Sequence, residues 1–110
     1  MNETQSYSRE HYPPAPVVDI YLAAPDSYNW QGPFPALLDS GADMTIVPMS
    51  FIAALRVPAI DEVALISQWR DRHVMRLFQV DLKIADQLLP AIDVVSDRWN
   101  KEILLGRNVL

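Results

Sequence analysis

The stretch Ala36-Leu37-Leu38-Asp39-Ser40-Gly41-Ala42-Asp43 decides how this chain is read. An apolar run leads straight into an aspartate, a hydroxyl and a glycine. Apolar runs of this length suit buried strands, and Asp, Ser and Gly are turn formers. The spacing therefore predicts a strand that opens abruptly into a tight loop, with Asp39 at its mouth. Gly41 would supply a positive φ or a close backbone approach. The Ser40 hydroxyl can bond across the loop. By itself the triplet is also an ordinary strand-end turn, since Asp-Ser/Thr-Gly arises by chance in about one chain in twenty of this length.

Working outward, residues 17–23 read as a strand with Val18, Ile20 and Leu22 on one face. Residues 25–33 are turn-rich. Residues 34–38 and 44–47 form two short apolar strands, the second stopped by Pro48. Residues 48–55 suit a short helix with proline in its first turn, and Phe51, Ala54 and Leu55 would share its apolar face. Residues 63–69 and 74–84 are longer strands around a polar tip. In the second, Phe78, Val80, Leu82 and Ile84 alternate with Gln79, Asp81 and Lys83. Residues 88–95 add another strand, 97–101 a polar loop, and 103–105 a last strand ended by Gly106. The pattern predicts an all-β fold of about seven short strands and one or two short helices. Residues 1–16, polar and holding Pro13, Pro14 and Pro16, read as a flexible N-terminal tail. Residues 17–110 form the single domain that a 110-residue chain allows.

Composition removes several functional classes. Half the residues are hydrophobic and 21% are charged, an ordinary globular balance. There is no cysteine, so disulfides, thiolate zinc sites and cysteine nucleophiles are excluded. His11 and His73 are the only histidines, a poor supply for a Ser-His-Asp triad or a histidine metal site. A net charge of −5 argues against nucleic acid as partner. No apolar run is long enough to span a membrane, and residues 1–16 lack the apolar core of a signal peptide. The expected location is the cytoplasm. The chain has three glycines, where average usage would give about seven or eight, so each is expected where the backbone demands it.

The segment Ile103-Leu104-Leu105-Gly106-Arg107-Asn108, taken with Leu37-Leu38-Asp39-Ser40-Gly41-Ala42-Asp43, resembles the retropepsins, the retroviral-type aspartic proteases, and most closely their cellular and bacterial members. The resemblance covers residues 17–110. It implies a small closed β-barrel of the acid-protease type that works as a two-fold homodimer. It assigns catalysis to Asp39. Ser40, Gly41 and Arg107 would support the active-site loop, with Ser40 bonding across the dimer axis and Arg107 bracing Asp43 in a buried bidentate pair. Ala42, Asp43, Trp69 and Leu104 would bind substrate, and Ile66 would lie beside an apolar subsite. Trp69 packs either over a substrate side chain or over its own core. The substrate would be an extended polypeptide, and neither cofactor nor metal is needed.

One Asp-Ser-Gly per chain cannot form a dyad, because Asp26-Ser27 is followed by Tyr28. The expected active unit is thus a pair of chains, with one Asp39 from each. Two departures stand out. The expected flap, residues 63–84, has no glycine at its tip of residues 67–73. The family also continues past Gly-Arg-Asn with a helix and commonly a last strand, whereas this sequence reads Val109-Leu110 and stops, as a C-terminally shortened domain would. These departures keep a second reading open, a catalytically inactive retropepsin-fold module that binds peptides or dimerises.

Overall fold

The chain is described here by a computed structural model covering residues 6–7, 16–66, 72–96 and 101–110. These residues form strands β1 (Ser6–Tyr7), β2 (Pro16–Ala23), β3 (Gln31–Leu38) and β4 (Thr45–Ile46), helix α1 (Met49–Leu55), and strands β5 (Asp61–Ile66), β6 (Arg72–Ile84), β7 (Gln87–Ser96) and β8 (Ile103–Leu105). Six strands hydrogen-bond in the order β2-β3-β8-β4-β7-β6, and β6 returns to β2, so the sheet closes into a barrel. Closure removes the open edges that invite unwanted pairing. Strand β2 makes it possible by dividing one edge. Its first residues pair with β1 and Ile20–Ala23 pair with β6.

The barrel interior follows the alternation in the sequence. Ile20, Leu22, Phe78, Val80, Leu82, Val94, Ile103 and Leu105 are buried in one cluster. Helix α1 closes one side of it with Ile52 and Leu55. Pro48 stands at the helix N-cap, one position earlier than expected, where its φ of −58° and missing N–H cost nothing. Ala54 is exposed, and Ile52 takes its place on the buried face. Arg56 ends the helix in the left-handed region, donating its N–H to the Ile52 and Ala53 carbonyls.

Other sequence expectations shift in detail. Ile66 pairs with Arg72 and Leu65 with His73, so those two residues belong to β6 and not to the hairpin tip. Residues 67–71, with Trp69, lie outside the described residues, as do most of residues 1–15 and His11. Ser6 and Tyr7 pair with Val17 and Pro16, so part of the segment read as a tail adds a short strand.

Asp81 departs from the polar-outward pattern of β6. It is buried, and its two carboxylate oxygens accept the backbone N–H groups of Asp26 and Ala91, each at 2.9 Å. Both donors have positive φ, 62° and 51°. The register of β6 against β7 shifts between Val80 and Leu82, which leaves the Ala91 N–H without a ladder partner, while Asp26 lies in the turn after β2. A buried carboxylate supplies the missing acceptor.

Candidate active site

Strands β3 and β4 are consecutive in the chain but not neighbours in the sheet. Strand β8 lies between them, parallel to β3 and antiparallel to β4. The connecting loop, residues 39–44, must therefore arch over the end of β8. The chain leaving β8 runs beneath that arch and holds it at successive residues. The Leu105 carbonyl accepts the Asp39 N–H at 3.0 Å. The Gly106 N–H donates to Thr45 Oγ1 at 3.1 Å, and the Arg107 N–H donates to the Ala42 carbonyl at 2.8 Å. The two motifs, more than sixty residues apart in sequence, thus form one backbone unit.

Within the arch the Ala42 N–H donates to the Asp39 carbonyl at 3.1 Å, closing a turn. The Gly41 N–H donates to Asp39 Oδ1 at 3.0 Å, which orients the carboxylate. Asp39 is half-buried, while Ser40 and Gly41 are exposed. The Ser40 side chain makes no hydrogen bond among the described residues, so the bond across its own loop is not formed. Gly41 has no positive φ, and a Cβ there would meet only Asp39 Oδ1, at 3.4 Å. The steric demand lies at Gly106. A Cβ on it would stand 2.4 Å from the Met44 carbonyl oxygen and 2.9 Å from that of Ala42.

The Arg107 guanidinium meets the Asp43 carboxylate as the resemblance implies, through Nη2 and Oδ1. The expected burial is absent: the two side chains are 63% and 80% exposed. Water screens such a pair, so its value drops to at most about 1 kcal/mol. Replacing Arg107 by Lys should accordingly cost less than about 1 kcal/mol in denaturant melting. A double-mutant cycle with Asp43→Asn should return a small coupling of the same order, and a larger one would show that the pair is covered in the working assembly.

Leu104 is half-buried and pairs with Leu37 on one side and Ile46 on the other. Residues in register across a sheet share a face, so Leu37, Leu104 and Ile46 form an apolar row. The row faces away from the core cluster, to which Ala36, Ile103 and Leu105 belong. Its place, directly before the Asp39 loop, could not be read from the sequence, because β3, β8 and β4 meet only in the tertiary fold. Of the other expected site residues, Ala42 is half-buried in the arch, Ile66 ends β5 and Trp69 lies outside the described residues. No group of three acidic, histidine or cysteine residues among the described residues could hold a metal ion.

The architecture matches solved structures. An EIAV protease, solved in complex with an inhibitor, is similar with a TM-score of 0.65 at 16% identity, over 96% of this chain and 90% of that one. A retropepsin-like aspartic protease from Rickettsia conorii is similar with a TM-score of 0.62 at 9% identity, over 100% of this chain and 83% of that one. The chain has the retropepsin fold. No protein-family model and no curated protein sequence matches it. At such low identity the likeness is one of fold. Among the described residues of this retropepsin fold, no helix is long and apolar enough to cross a membrane.

Proposed function

We propose that the chain is an aspartic endopeptidase that acts as a homodimer, with Asp39 of each protomer forming the catalytic dyad. One observation carries this reading. Asp39 stands at the foot of the arch, its N–H anchored on the Leu105 carbonyl and its carboxylate turned by the Gly41 N–H, while Asp43 engages Arg107. A carboxylate so held suits general acid–base work. The fold neighbours are named as proteases, which supports the same reading.

In the dimer the two Asp39 side chains face each other across the two-fold axis. Adjacent carboxylates cannot both ionise, so they share one proton, as in aspartic proteases generally. The ionised member takes a proton from a bound water. The other donates its proton towards the scissile carbonyl, and the hydroxide adds to the carbon. When the C–N bond breaks, a carboxyl proton passes to the leaving amine. Ser40, exposed and without a side-chain hydrogen bond among the described residues, reaches across the axis and stiffens both loops. Asp43, steadied by Arg107, and Ala42 contact the substrate backbone. Leu104, with Leu37 and Ile46 beside it, lines an apolar subsite. The substrate is a polypeptide in extended conformation.

Cleavage of an unstructured peptide should be fastest in acid and fall as pH rises towards neutral, because loss of the shared proton removes the acid partner. A pH–rate profile checks this, and a rate that climbs into the alkaline range contradicts the mechanism. Solution mass and binding of a pepstatin-type inhibitor test the assembly. A monomer that ignores the inhibitor sinks the reading. A dimer that binds peptide without cutting it identifies a binding module instead.

A further inference from the structure

We infer that Thr45 is a positioning residue for Asp39, acting through the backbone of Gly106; the inference rests on the protease reading and deepens it. Thr45 is the first residue of β4 and is completely buried. Its hydroxyl is used twice. It accepts the Gly106 N–H at 3.1 Å and donates to Asn108 Oδ1 at 2.8 Å. The Asn108 amide in turn donates to the Asp93 carbonyl of β7 at 2.8 Å. One buried hydroxyl therefore joins β4, the exit of β8 and β7.

The residues on either side of Gly106 explain why this reaches the reacting group. Leu105 offers its carbonyl to the Asp39 N–H, and Arg107 gives its N–H to Ala42. Gly106 is the middle of a three-residue rail beneath the arch, and its own N–H is held by a side chain, not by a strand ladder. Gly106 packs closely against the Met44 backbone and its carbonyl accepts the Val109 and Leu110 N–H groups, while the Thr45 hydroxyl holds its N–H. Threonine suits the task because its branched Cβ restricts χ1 while the hydroxyl both donates and accepts. Removing the hydroxyl leaves the buried Gly106 N–H unpaired and Asn108 Oδ1 without its donor, which lets the rail shift. Displacements of about 1 Å at a reacting group can cost about a hundredfold in rate.

The test compares Thr45→Val, Thr45→Ser and Asn108→Ala in peptide cleavage, with amide hydrogen exchange read on the same proteins. Thr45→Val should lower kcat by about tenfold to a hundredfold with KM within about twofold, and should speed exchange at the Asp39 and Arg107 amides. Thr45→Ser, which keeps the hydroxyl, should restore most of the rate. Asn108→Ala, at an exposed position, should give an intermediate loss and carries the test if Thr45→Val does not fold. Unchanged kcat in Thr45→Val, or a serine variant as impaired as the valine one, overturns the inference. If the wild-type chain cuts no peptide, the protease reading fails on its own. The exchange measurement then decides: faster exchange at Asp39 and Arg107 upholds the linkage, and unchanged exchange overturns it.

Discussion

Replacing Asp39 by Asn should lower peptide cleavage by at least about a thousandfold while leaving the barrel intact. The change swaps one oxygen for an amide nitrogen of nearly the same size, and the remaining oxygen still accepts the Gly41 N–H. The loop is otherwise held by backbone bonds that the substitution does not touch. In the proposed homodimer chemistry would be lost twice over, because each protomer would contribute the same residue. The proposed dimer then has neither a carboxylate to take the proton from water nor a carboxyl to return it. General acid–base catalysis contributes about 10²–10⁴-fold per group, so loss of both roles leaves little residual rate. Steady-state kinetics with a fluorogenic peptide, alongside thermal melting, would check it. A variant that melts normally and still cleaves near the wild-type rate would remove Asp39 from the mechanism.

Gly106→Ala should be the most damaging small substitution for the fold, at about 3 kcal/mol or more. The new methyl would meet backbone, not the end of a flexible side chain: the Met44 carbonyl oxygen at 2.4 Å and carbon at 2.5 Å. Neither can move without disturbing β4, which starts at the next residue, or the arch over β8. Native domains hold only about 5–15 kcal/mol in reserve, so the loss is a large share of the total. Gly41→Ala is the matched control, because its Cβ would have open space apart from Asp39 Oδ1 at 3.4 Å and its φ is not positive. It should shift the denaturant midpoint little. Equal destabilisation by the two alanines would show that the arch, and not the rail beneath it, sets the steric limit.

The local chemistry of the site was legible because it is written in neighbouring residues. An apolar run must find a strand, and Asp-Ser-Gly must turn, so the Asp39 loop could be read at residues 36–43. The alternation of Phe78, Val80 and Leu82 fixed the buried face of β6, and the three-residue run at 103–105 fixed β8. The residues of the second motif could be read, but not what they touch. Asp81 looked like one more outward polar residue, because the register shift that buries it depends on how β7 meets β6. The Arg107–Asp43 contact followed from the motifs, yet its exposure did not, since exposure depends on what else covers the pair. Gly41 and Gly106 have the same side chain, and only the insertion of β8 between β3 and β4 makes one of them indispensable. By itself the sequence determined the strands of residues 17–110, the loop and the carboxylate at its start, all products of local propensity and periodicity. The tertiary structure decided which groups support that carboxylate, because a parallel neighbour from the far end of the chain is brought there by barrel closure and by no local signal.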